Sequence, residues 1–138
     1  MAYWLIKSEP THFSIDMLAT LPDKITAWDG VRNYQARNYL KAMKKSDKAF
    51  FYHSSCEIPG IAGIVEITKE AYPEKNQSDK PQWFCVDVKL VQKFSSLISL
   101  SELKKLSDLK DMIILRKGNR LSVTPVSPKE WKAILNLR

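Results

Sequence analysis

Lys48-Ala-Phe-Phe-Tyr-His53, Gly60-Ile-Ala-Gly-Ile-Val-Glu-Ile67 and Trp83-Phe-Cys-Val-Asp-Val-Lys-Leu90 follow one another with no helical pattern between them. Branched and aromatic residues dominate all three, so strands are expected over 48–53, 60–72 and 83–90. In the last, Phe84, Val86, Val88 and Leu90 share one face while Cys85, Asp87 and Lys89 take the other, the period of a half-buried strand. Gly60 and Gly63 permit bends or close backbone approach. The polar run Pro73-Glu-Lys-Asn-Gln-Ser-Asp-Lys-Pro81 reads as a connector. Successive strands with no helix between them meander antiparallel, which argues against a doubly wound parallel sheet.

Outward from this block the pattern turns helical. Residues 33–45 place Ala36, Tyr39, Leu40 and Met43 on one apolar face, with Asn33, Arg37, Lys41 and Lys44 opposite. Residues 2–8 read as a strand stopped by Glu9-Pro10. A short helix follows, capped by Ser14, stapled by Phe13 and Leu18, and ended by Leu21-Pro22. Beyond residue 90, Ser99 and Glu102 form a capping box for a helix that turns Leu100, Leu103 and Leu106 inward and extends through 107–115. Residues 120–126 read as a late strand, with Pro125 marking an edge or a barrel rim. Ser127-Pro128-Lys129-Glu130 then opens a closing helix that buries Trp131, Ile134 and Leu135. The order β-α-α-β-β-β-α-β-α describes an α+β barrel with its ends plugged by helices, closed where first and last strands meet.

At 138 residues with 44% hydrophobic content, the chain suits one domain, residues 1–138, with a core that needs no staples. Two cysteines, Cys56 and Cys85, lie far apart, and with only His12 and His53 besides they form no zinc pattern, so no cofactor or metal is called for. No stretch approaches the ~20 apolar residues of a membrane span, and no secretory leader is visible, so a soluble protein of the cytoplasm, with no membrane partner, is expected. His53-Ser54-Ser55-Cys56 sets nucleophiles beside a histidine, but neighbours on a strand face opposite sides; a hydrolase using His53 and Cys56 is the weak alternative. A P-loop, a GxGxxG turn and an HExxH helix are all missing.

The net charge is +7, and residues 32–48 carry Arg32, Arg37, Lys41, Lys44, Lys45 and Lys48 against the single acid Asp47. A surface so charged suits a polyanion. The charge begins inside the most telling motif, Trp28-Asp-Gly-Val-Arg-Asn-Tyr-Gln-Ala-Arg-Asn38. An indole precedes a glycine turn, and a helix then opens with two arginines and two asparagines. Trp28, open at a cavity edge, suits stacking on a base; Arg32 and Arg37 suit phosphate; Asn33 and Asn38 suit the base edge. The same residues also fit a core tryptophan followed by an amphipathic surface helix. Lys7, Ser8 and Glu9 at the end of the first strand, and Arg120 and Ser122 on the late one, stand at the barrel mouth or are exposed strand ends. A peptide or protein adaptor is the other alternative function.

Tyr3-Trp-Leu-Ile-Lys-Ser-Glu-Pro10, the 28–38 motif, Phe50-Phe-Tyr-His-Ser54, Gly60–Ile67 and Arg120-Leu-Ser-Val-Thr-Pro-Val126 together resemble the EVE domain, in order and over essentially the whole chain. The resemblance implies a PUA-like pseudobarrel of mostly antiparallel strands surrounded by helices, related to YTH domains. It implies a reader of methylated or oxidised bases that takes a single-stranded or flipped base of DNA or RNA. Trp28 would be the stacking wall, and Lys7, Ser8 and Glu9 would line the mouth. Val31, Arg32, Asn33, Arg37 and Asn38 would frame the base and its phosphates, joined by His53, Ser54, Arg120 and Ser122. Residues 55–59 hold no second tryptophan, so Tyr34, Tyr52 or an aliphatic side chain is expected to supply the other wall.

Overall fold

Among the described residues six strands share one sheet: β1 (Tyr3–Ser8), β2 (Ile25–Trp28), β3 (Lys48–His53), β4 (Gly60–Pro73), β5 (Phe84–Ser99) and β6 (Val123–Val126). The helices are α1 (Ile15–Thr20), α2 (Tyr34–Ala42), α3 (Leu100–Lys104) and α4 (Pro128–Leu135). The structure, a computed structural model, describes every residue except Asn76 and Ser78, which lie within the expected 73–81 connector. Sheet order is β2-β5-β4-β3-β1-β6. The 48–90 block is the expected antiparallel meander, and first and last strands do pair, Tyr3 opposite Val126.

One pairing was not foreseen: β1 runs parallel to β3. Both strands are apolar on both faces, as a parallel pair covered on two sides must be. Trp4, Ile6, Ala49 and Phe51 enter one core with Ile15, Leu18, Ala36 and Leu40 of the first two helices. Leu5, Phe50 and Tyr52 enter the other, with Leu103, Trp131 and Ile134 of the last two. Trp131 stacks on Phe50 at 4.0 Å and on Tyr3 at 4.4 Å between ring centroids.

β5 runs on to Ser99 instead of stopping at Leu90. Val86 and Val88 face the first core whereas Phe94 and Ile98 face the second. The switch follows from a register shift that pairs Val65 with Leu90 but Ile64 with Gln92, leaving Val91 as the extra residue. Its disrupted alternation hid the second half of the strand. Gly60 and Gly63 allow the close crossing: a Cβ on either would lie 2.2 Å from a carbonyl oxygen of β5.

The remaining departures are local. Helix α2 stops at Ala42, not Lys45, because the buried Asp47 carboxylate draws the chain into a turn. It accepts hydrogen bonds from Lys44 N (2.9 Å), Trp4 Nε1 (3.0 Å) and Ala2 N (3.1 Å). Both capping boxes form, yet 107–115 folds as two 3₁₀ turns that insert Leu109, Met112 and Ile114 into the second core. β6 begins at Val123, leaving Arg120–Ser122 as an approach loop. The unexpected β2 is four residues long, entered through positive φ at Asp23 and Lys24. Among the described residues β2 and β6 do not pair with each other; α2 packs on β5 and β6 and spans the gap between the sheet's edges. No helix among them is long and apolar enough to cross a membrane.

Candidate nucleic-acid interface

The two sheet edges that α2 bridges leave a cavity of about 420 Å³ between them, within the roughly 300–1,000 Å³ usual for small-molecule sites. One wall is the end of β2, Thr26 to Trp28, and the turn Asp29-Gly30 that leads to α2. Gly30 has φ +77°, a left-handed conformation that glycine takes without strain. Asn33 caps the helix, its Oδ1 accepting from Ala36 N at 3.0 Å, which leaves its amide NH2 for the cavity it lines. The facing wall is Lys7 and Ser8 at the end of β1, with Ser122, whose carbonyl accepts from Lys7 N at 2.9 Å.

Trp28 lines this cavity but is only 7% exposed. It is therefore a wall anchored in the core, not the open plate expected: Phe51 meets it edge-on at 5.3 Å and Phe13 at 6.2 Å. Phe13, read from sequence as a helix staple, also lines the cavity, as does the buried Val31. Tyr34 and Tyr52 supply no second wall. Tyr34 stacks on Trp83 outside the cavity, at 5.1 Å, and Tyr52 belongs to the second core.

Arg32 lines the cavity, but Glu74 holds it through two hydrogen bonds of 2.9 and 3.0 Å. That guanidinium keeps the Glu74 carboxyl below the usual carboxylate range, and Arg32 is raised in turn. Glu74 also accepts from Gly30 N at 3.3 Å, so it ties the turn to the end of β4. The Gln77 side chain ties Glu74 to Gln82 and Trp83: it donates to Glu74 O and Trp83 O and accepts from Gln82 N and Trp83 N. Neither Arg37 nor Asn38 lines the cavity. Arg37 donates to Gln82 O (3.0 Å) and to Asn38 Oδ1 (2.9 Å), and it lies 5.0 Å from the Tyr34 ring. The loop residues Glu74, Gln77 and Trp83 carried no motif that would have marked them.

A second cavity, of about 410 Å³, adjoins the first and shares Lys7, Ser8 and Ser122 with it. Glu9, Ser54, Ser55, Asn119 and Arg120 complete its lining. Burial lowers the Lys7 ammonium from its ordinary range. His53 lines neither cavity. Its Nε2 accepts from Ile15 N at 3.2 Å at the start of α1, and burial lowers its pKa, so its lone pair serves the fold, not Cys56. Among the described residues no three His, Cys, Asp or Glu side chains gather to hold a metal ion.

The sequence and coordinates match known proteins throughout. The family model for the EVE domain matches residues 2–137. Human thymocyte nuclear protein 1 is 41% identical over 99% of this chain and 73% of its own length. A crystal structure of that protein in complex with DNA containing 5-methylcytosine superposes with a TM-score of 0.92, covering 99% of this chain and 97% of that one. A Pseudomonas syringae protein of solved structure is 46% identical, with a TM-score of 0.93 and 99% of each chain covered. The Mmi1 YTH domain, 13% identical, shares the fold alone, at a TM-score of 0.60 over 99% of this chain and 86% of that one. By sequence and by fold, this chain belongs to the EVE domain family.

Proposed function

We propose that this chain binds nucleic acid and reads a modified base, methylated or oxidised, turned out of its stack into the cavity beside Trp28. The observation that carries this reading is a base-sized hollow that combines apolar lining, Trp28, Phe13 and Val31, with polar groups. The human relative's structure with 5-methylcytosine DNA supports it. The base stacks against Trp28, worth about 1–3 kcal/mol. Its edge meets the Asn33 amide, the Asp29 carboxylate and the Ser122 hydroxyl. Ser8 Oγ donates to Phe13 O at 2.7 Å and offers only its lone pairs.

Turning a base out of a duplex costs a few kcal/mol, so single-stranded or mispaired sites bind better. A methyl group in an apolar niche adds about 0.8 kcal/mol, roughly fourfold in affinity. Cation–π attraction adds nothing, since 5-methylcytosine and N6-methyladenine are uncharged.

The test is a panel of modified and unmodified single-stranded DNA and RNA oligonucleotides at two salt concentrations. Trp28→Ala should weaken binding about ten- to a hundredfold. Because Trp28 is also core, Thr26→Phe, at a half-buried lining position outside the core clusters, serves as the second variant. Wild-type affinity in both variants, with native circular dichroism, rejects the assignment.

A further inference from the structure

The second cavity has features that base reading does not use. Its polar lining includes two cations, Lys7 and Arg120, and one carboxylate, Glu9. Glu9 also faces His12 at 3.5 Å. Asn119 lines the same cavity, and its Nδ2 is buried with no hydrogen-bond partner among the described residues. Its Oδ1 accepts from Leu121 N at 3.4 Å, which fixes the amide so that Nδ2 is the group left over. Nδ2 itself is enclosed, so Asn119 meets the cavity through its other atoms. Ser54, Ser55 and Ser122 add hydroxyls, and Ser54 is held in place by its N–H bond to Ser8 O at 2.9 Å.

We propose that this cavity is a phosphodiester site, which holds the backbone phosphate adjoining the base in the first cavity. The inference rests on the base-reading assignment for the neighbouring cavity. Three observations carry it. The two cavities share Lys7, Ser8 and Ser122, as adjoining parts of one nucleotide require. The lining holds one net positive charge, which matches the single negative charge of a diester better than the nearly doubled charge of a terminal phosphate. Finally, the Lys7 ammonium and the Arg120 guanidinium are donors only, the chemistry a phosphate oxygen accepts. The site selects a base within a strand over a free nucleoside or a strand end.

The experiment uses the whole chain and single-stranded oligonucleotides carrying one modified base. Each of the two linkages flanking that base is replaced in turn by a neutral methylphosphonate, with a distant linkage replaced as control. One flanking replacement should weaken wild-type binding about tenfold, and the control should not. In Arg120→Gln, binding to the natural strand should fall by a similar factor and the same replacement should cost almost nothing more. If modified and unmodified bases bind alike while this linkage effect persists, the base-reading assignment fails and the phosphate site stands. If base preference persists but flanking and distant replacements cost the same, the phosphate site is wrong. If no oligonucleotide binds and dimethyl phosphate leaves the Arg120 side-chain and Ser122 backbone N–H signals unshifted by NMR, both are wrong.

Discussion

Arg32 stands at the cavity rim with its charge already engaged, and Glu74→Gln tests what that engagement does. Glutamine keeps an oxygen for Gly30 N–H, now 3.3 Å from the Glu74 carboxylate, and so preserves the turn. It removes the negative charge that holds the guanidinium through its 2.9 and 3.0 Å bonds. The Arg32 side chain is 52% exposed and so free to swing toward a strand backbone. One additional phosphate contact steepens the dependence of log affinity on log salt by about 0.7 for single strands. An exposed ion pair is worth about 0.2–1 kcal/mol, so the low-salt gain should not exceed about fivefold, and loss of stability should stay under about 1 kcal/mol. Fluorescence anisotropy of a labelled strand across a salt series reads both. An unchanged slope, or weaker binding at low salt by a protein of native melting temperature, refutes the claim that Glu74 competes with nucleic acid for Arg32.

Two further expectations concern the scaffold. Asp47→Ala strands three donors, Trp4 Nε1 being fully enclosed; at about 1–3 kcal/mol for a buried unpaired group, urea unfolding should report a loss near 3 kcal/mol. A loss under about 1 kcal/mol would show that water replaces the carboxylate. His53 is neutral where it accepts from Ile15 N, and its folded pKa is lowered by burial. The unfolded chain therefore binds the proton more readily, and stability should fall as pH drops through the unfolded value of about 6.5. His53→Gln should flatten that part of the stability–pH curve; an identical curve for the variant would remove His53 as its source.

Local signals in the chain announced most of the elements. Caps at Ser14, Ser99 and Ser127 all accept from the backbone as their spacing implied, whereas Asn33, read as the first residue of the helical polar stripe, is the cap of α2. The parallel β1–β3 pair was hidden, because Leu5, Phe50 and their neighbours are equally apolar in either direction and only tertiary pairing decides. The extra residue at Val91 broke the alternation that would have revealed all of β5. For the site, Lys7, Ser8, Trp28, Val31, Arg32, Asn33 and Ser122 do line one cavity, and Glu9, Ser54 and Arg120 the other. Arg37 and Asn38 lie more than a turn beyond Asn33, and Arg37 is held by Gln82 O and Asn38 Oδ1 outside the cavity. Phe13 and Glu74 were illegible as site residues because their roles depend on where a distant strand ends, not on their neighbours.

The placement of β1 between β3 and β6 bears on how the molecule is made. A ribosome delivers Tyr3–Ser8 well ahead of one of its two partners, Val123–Val126, which comes more than a hundred residues later. Until then Leu5 and Tyr3 lack the covering Trp131, and the nascent sheet presents a bare, hydrophobic margin. Contacts this remote in sequence slow folding and leave such margins prone to aggregation. Acquisition of the native state must therefore await the last segment, and shortening the chain before Val123 should yield insoluble product, not a smaller folded one.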